Sequence, residues 1–328
     1  MATYKKVLGM VGAAFVAAAA FSAAAQDEGG GAPAVEVKPR PAERMALTQK
    51  SLLLDVVYTG ERFVAVGDRG GIILSPDGQT WEQVDVPVRA ALTAVTFADK
   101  DHGWAVGHDA AIVATSDGGK TWSLQNFQPQ LEKPLLDVLF LDASHGLAVG
   151  AYGLLLQTAD GGASWTEANA PSIRADEVHF NSLTRLGNGS LFIAGESGLL
   201  AISSDQGKTW SKLKSPYDSS YFGALPVGAS GAVVYGLRGN AYLTQDVRGG
   251  RWTKLQTNSV ASMFGGTVLP DGELAMVGLN GVIFIADASG KVRSLQTPTG
   301  TPLASAIPLN GGLLAVGESG VQVLASLK

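Results

Sequence analysis

Residues 114–122 read ATSDGGKTW, and near-copies of this stretch recur along the chain. LSPDGQTW ends at Trp81, QTADGGASW at Trp165 and ISSDQGKTW at Trp210. A looser copy, LTQDVRGGRW, ends at Trp252, and FIADASGKV ends at Val292 with the Trp gone. An Asp in this setting accepts hydrogen bonds from the backbone N–H groups of its own turn, and Gly supplies positive φ without a Cβ penalty. The Trp then re-enters a strand and buries a large flat surface between neighbouring units. The stretch therefore reads as a tight turn between two strands, repeated. Its Asp77, Asp117, Asp160 and Asp205, with Trp81, Trp122, Trp165 and Trp210, are expected to be structural. A calcium loop needs more alternating oxygen ligands than these turns offer.

Working outward, a second signal recurs with the same period. An apolar residue followed by Gly closes one strand of each unit, at Gly67, Gly107, Gly150, Gly195, Gly236, Gly278 and Gly317, spaced 40, 43, 45, 41, 42 and 39 residues apart. That period is the length of a four-stranded propeller blade, and seven glycines give seven blades. The expected fold is all-β: a seven-bladed β-propeller with four-stranded antiparallel blades. The first strands (LLDVVY from Leu53, LTAVTF from Leu92, LLDVLF from Leu135 and their successors) carry short side chains at their third positions. These are Asp55, Ala94, Asp137, Ser182, Gly223, Gly265 and Ser305, as crowding at a central channel requires. Third strands such as GIIL and AIVA are nearly continuous apolar runs, which fits burial between two flanking blades. The seventh unit ends after VQVLAS without a turn or a fourth strand, and a bare edge there is a liability. The segment Glu43 to Gln49 (ERMALTQ) is expected to supply that strand and close the ring.

The N-terminus reads differently. Lys5-Lys6, an Ala-rich apolar run and then Ala23-Ala24-Ala25 read as a secretory signal peptide over 1–25, cut after Ala25, which implies a periplasmic or secreted protein. Residues 26–42 form a Gly/Pro/charged linker, and the propeller runs from 43 to 328. Loss of Lys5 and Lys6 takes the formal charge from −5 to −7. With no basic run beyond the leader, nucleic acid is not an expected partner. The chain has no Cys, which excludes disulfides, thiolate metal sites and thiol catalysis. No cofactor or metal is expected, since His108 and His179 lack ligand-spaced partners.

In such a meander the turns between third and fourth strands, which hold the repeated Asp, lie on one face. The turns after each Gly lie on the other, with the connections between blades. That second face is expected to carry binding residues: Asp68, Arg69, His108, Tyr152, Glu196, Arg238, Asn280 and Glu318 in the turns, and Arg89 and Arg174 in the connections, beside Lys133, His179 and Tyr217. Asp55 and Asp137 point toward the channel, either to bond backbone or to meet a ligand.

The S/T-x-D-x-G-x-T-W box resembles the bacterial neuraminidase repeat, or Asp-box, over Thr115–Trp122, Thr158–Trp165, Ser203–Trp210 and, one residue shorter, Ser75–Trp81. The fuller unit (strand, G-W/L-A-V-G, G-x-I/L, D-G-G-x-T-W) is similar to the photosystem II stability and assembly factor family from about residue 44 onward. The resemblance implies a propeller that holds membrane-protein intermediates through a basic patch. For relatives outside photosynthesis it implies an accessory role beside RND-type exporters. The expected function is a non-enzymatic scaffold for an integral membrane protein or exporter complex, the propeller being monomeric on its own. Two alternatives stand beside it. A glycan or small-ligand binder would draw on Tyr152, Tyr217 and Tyr221. A sialidase-like hydrolase would need an Arg triad and paired acid and nucleophile, which have no counterpart here.

Overall fold

The computed structural model describes residues 37–327. The signal-peptide segment and residues 26–36 of the linker lie outside the described residues. From Lys38 onward the chain forms one compact unit. It contains seven antiparallel sheets, each a meander in chain order. In blade one the strands are Leu53–Tyr58, Phe63–Gly67, Ile72–Ser75 and Glu82–Gln83. Six blades have four strands, as their sequence period requires. The innermost strands neighbour one another in cyclic order, including Leu53–Tyr58 of blade one against Leu303–Leu309 of blade seven, so the ring is closed.

The core lies between blades. Seven apolar clusters occupy the seven seams; Val64, Val66 and Ile72 of blade one, for example, pack with Leu92, Val95 and Val113 of blade two. Second strands are buried along their whole length, as in Phe63–Gly67 and Gly103–Gly107, because each is sandwiched on both faces. Fully burying each such Val or Leu stabilises the fold by about 1.5–3 kcal/mol. Beneath the turns, Trp104 of blade two stacks flat on Phe140 of blade three at 3.4 Å between centroids.

The Gly that ends each second strand is needed for close approach. Gly107 has φ −177°, ordinary extended backbone, yet a Cβ there would sit 1.9 Å from the Ala91 carbonyl oxygen. That carbonyl accepts the His108 N–H at 2.9 Å, and the same bond recurs in every blade, from Asp68 to Leu52 in the first through Glu318 to Pro302 in the last. Each first strand also carries a bulge just ahead of its third position, such as that between Leu53 and Asp55, which turns an extra residue toward the channel mouth.

Closure differs from the expectation in one respect. The last sheet has three strands, Leu303–Leu309, Gly312–Gly317 and Gly320–Leu324, and the anticipated strand from Glu43 to Gln49 does not form. The reason is visible in blade one. The Gln83 side chain accepts from the Met45 N–H (2.8 Å) and the Thr48 hydroxyl (2.7 Å) and donates to the Glu43 carbonyl (2.9 Å). Arg44 pairs with Asp85 and Arg89 with Glu43, at 2.8 and 2.7 Å. These contacts hold the segment against the outer strand of blade one, and it turns into a short 3-10 helix at Thr48–Lys50. The Gln49 carbonyl lies over Gly320, 2.0 Å from where a Cβ would be. Val88, Tyr217 and Ser259 stand in the same relation to Gly70, Gly198 and Gly239 in complete blades. The segment thus supplies the outer connection of blade seven and leaves out its strand.

Candidate functional site

The turn after the second strand has one conformation in blades one to six. Arg69, Asp109, Tyr152, Ser197, Arg238 and Asn280 all sit in left-handed backbone at φ 53–61°. Each lifts its own side chain off the rim of the same face, here called the upper face. The repeated Asp turns fall at the opposite ends of the antiparallel third strands, on the lower face. There, Thr115 Oγ1 donates to Asp117 Oδ1 (2.8 Å), Asp117 accepts the Thr121 N–H (2.9 Å), and the Trp122 indole N–H reaches the Gly119 carbonyl (2.8 Å). Asp160 and Asp205 accept the same two bonds, and the Trp210 indole reaches Gly207 while that of Trp165 donates to the Gln125 side chain. The hydroxyls of Ser164 and Thr209, with the turn's N–H groups, hold their carboxyls down at about 2. Their hydrogen-bonding capacity is taken up by their own turns.

On the upper face the anticipated residues do not form a uniform basic patch. Arg69 pairs with Asp68 at 3.5 Å, and Arg89 is committed to Glu43. Arg174 is drawn inward: it donates to the Gly153 carbonyl (2.9 Å) and pairs with Glu167. Partial burial lowers its pKa. Arg238 has no ion pair among the described residues. Tyr152, His179 and Glu196 come together at the seam of blades three and four. The rings of Tyr152 and His179 meet edge to face at 4.7 Å, and Glu196 accepts the His179 backbone N–H at 3.1 Å. His108, Asn280 and Glu318 stand at separate turns around the rim. Of the three tyrosines weighed for glycan stacking, Tyr221 is buried with its hydroxyl on Ser215 and Tyr217 is half-buried, so Tyr152 alone is exposed.

What the charged residues leave open is filled by apolar ones, of which the sequence reading named only Tyr152. Leu52, Leu131, Tyr152, Val260, Phe264 and Leu279 are each at least 38% exposed, and all six belong to upper-face turns, connections or strand starts. Within the channel mouth the bulge residues Leu54, Leu136, Phe222 and Phe264, with Thr93, Asn181 and Ala304 between them, form a collar, the two Phe rings 5.7 Å apart. The signal was present in the sequence, since each stands one residue before a short third-position residue, but only the bulge turns it toward the channel.

Below the collar, Asp55, Asp137, Ser182 and Ser305 line the channel as anticipated. Asp55 accepts the Val56 N–H, the Ser305 hydroxyl and, from blade two, the Val95 N–H, at 2.9, 2.8 and 2.9 Å. Asp137 likewise accepts the Val138 N–H and, from blade four, the Leu183 N–H, at 2.8 and 2.7 Å. Desolvation pushes the two carboxyls up to about 6 and about 7, against the pull of those N–H donors.

Comparison with known proteins agrees with this geometry. The family described as photosynthesis system II assembly factor YCF48 matches residues 73–132 and 124–294. The chloroplastic photosystem II stability/assembly factor HCF136 of Cyanidioschyzon merolae is 34% identical over 83 residues, 23% of this chain and 19% of that protein. The photosystem II assembly protein Ycf48 of Thermosynechococcus vestitus is 41% identical over 46 residues, 14% of this chain and 13% of that protein. The matched stretches therefore span no more than a fifth of these curated relatives. Among solved structures, YCF48 bound to D1 peptide superposes with a TM-score of 0.70 at 17% identity, covering 90% of this chain and 99% of that one. The WD40 propeller of Doa1 reaches 0.67 at 13% identity, covering 88% and 96%.

Proposed function

Because the chain belongs to the photosystem II assembly factor YCF48 family of repeat propellers, we propose that it is a non-enzymatic scaffold that holds a segment of an integral membrane protein on its upper face. The observation that carries this reading is the concentration of exposed apolar side chains on the upper face. Leu52, Leu131, Tyr152, Val260, Phe264 and Leu279 share it with the collar, whereas the lower face shows Tyr58 and Val268 at the ends of first strands among self-satisfied Asp turns. A rigid ring that presents six turns of one conformation around a channel mouth rimmed with exposed apolar side chains suits capture of a peptide segment without chemistry on it. The relative solved with a D1 peptide bound supports a polypeptide segment as the partner. The partner here is proposed to be an exporter or other complex of the inner membrane, met in the periplasm after cleavage at Ala25.

Tagged mature protein added to detergent-solubilised membranes should retrieve one integral membrane protein. A Phe264→Asp, Leu279→Asp variant should lose it while keeping the wild-type melting temperature. Retention by that variant would contradict the reading.

A further inference from the structure

The central channel holds a second site. Asp55 and Asp137 face a cavity of about 220 Å³, and among its lining residues there is no Lys, Arg or His to balance them. Two enclosed carboxylates without a cation are an unfavourable arrangement unless a proton or a bound cation neutralises them. The backbone N–H groups of Val56, Val95, Val138 and Leu183 fix both carboxylates in place without exhausting their acceptor capacity.

A third group points to a ligand independently. Tyr235 is 3% exposed, and its side chain crosses Gly223 so closely that a Cβ there would lie 2.2 Å from the phenol oxygen. That oxygen opens on the same cavity and has no hydrogen-bond partner among the described residues. The ring is buried and aims its hydroxyl into the channel, where a ligand can meet it. Gly223, at the small third position of its strand, and Gly266 are what let the tyrosine reach in.

From these observations we propose that the channel binds an alkylammonium group, its three N–H donors shared among Asp55, Asp137 and Tyr235 and its carbon chain lying against the collar of Leu54, Leu136, Phe222 and Phe264. A divalent metal ion fits less well. Calcium takes six to eight oxygen ligands, and no group of three or more His, Asp or Glu is assembled among the described residues. The Leu and Phe side chains of the collar also favour a ligand that is charged at one end only. The group is carried either by a free amine or by a lysine of a docked polypeptide. This site does not depend on the scaffold reading, since the channel would bind an amine whether or not the rim holds a protein.

The test is calorimetric titration of the full chain at pH 8 with n-butylammonium chloride, and with the peptide acetyl-Leu-Lys-Leu-amide beside its Nζ-acetylated form. Saturable binding of one butylammonium per chain is expected. It should weaken at least tenfold in Tyr235→Phe, which removes one oxygen and leaves the packing, and at least tenfold at pH 5, where protons compete. Tighter binding of the peptide than of butylammonium, lost on acetylation, identifies a docked lysine; the reverse order identifies a free amine. The proposal is overturned by absence of saturable binding at millimolar concentrations, by unchanged affinity in Tyr235→Phe, by equal binding of n-butanol, or by calcium chloride binding where butylammonium does not.

Discussion

The hydroxyl of Ser305 in blade seven donates to the carboxylate of Asp55 in blade one at 2.8 Å, across the seam where the two ends of the chain meet. The other carboxylate oxygen takes the Val95 N–H of blade two, so a single side chain ties three blades together at the channel wall. Asp137 ties blade three to blade four in the same way. Asp55→Ala removes an acceptor from three donors and is expected to lower stability by about 1–3 kcal/mol in urea denaturation. The loss should be larger at pH 5.5 than at pH 8, because the neutral carboxyl carries no desolvation cost. An equal or larger loss at pH 8 would show that the ionised form is the stabilising one.

The wild-type protein should itself follow that sign. Desolvation raises Asp55 and Asp137 from the ordinary carboxyl range to about 6 and about 7. A folded-state pKa above the unfolded one means the folded chain binds more protons between about pH 4 and 7. Stability therefore falls as pH rises through that window. Melting temperature is expected to be higher at pH 5.5 than at pH 8. Below about pH 4 the trend reverses, because Asp160 and Asp205, held at about 2 by their turns, begin to lose their hydrogen bonds. A flat profile from pH 5.5 to 8 would rule out the channel carboxyls as the source.

Gly107→Ala should fail or lose about 3 kcal/mol or more, because a Cβ would stand 1.9 Å from the Ala91 carbonyl oxygen in extended backbone that offers no relief. Gly60→Ala is the control. It has φ +98° and open space around it, so it carries backbone strain alone, a cost of about 1 kcal/mol. Similar losses in both variants would refute close approach as the reason for the repeated Gly.

Gln83→Ala should free the N-terminal segment with little effect on the ring. Three hydrogen bonds to Glu43, Met45 and Thr48 converge on that one carboxamide. Faster tryptic cleavage at Arg44, with melting temperature lowered by only a few degrees, is the expected result. Unchanged protection would mean that the ion pairs of Arg44 and Arg89 suffice.

The fold was legible because its signals are local and repeat. The Asp turns, the strand-ending Gly and the small third positions each follow from one blade's own geometry, and seven copies reinforce them. The closure was misread because it depends on a competition between distant edges. The charged segment 43–49 finds Gln83, Asp85 and Arg89 on blade one more favourable than the edge Gly320–Leu324, and no pattern within 43–49 reveals that. The meander puts the turn residues on one rim, but the engagement of Arg89 and Arg174 was not legible, because only the folded chain brings Glu43 and Glu167 near them. Tyr235 escaped notice as one apolar-looking residue in a buried second strand; its role emerges only once Gly223 leaves room beside it.

The central claim, that the upper face and not the Asp-turn face does the docking, is tested most directly by site-specific photo-crosslinking in intact cells. A photoreactive residue in place of Phe264, at the channel mouth, should trap one integral membrane protein, while the same residue in place of Lys208, in an Asp turn on the lower face, should trap none. Crosslinking from position 208 with none from 264 would contradict the account.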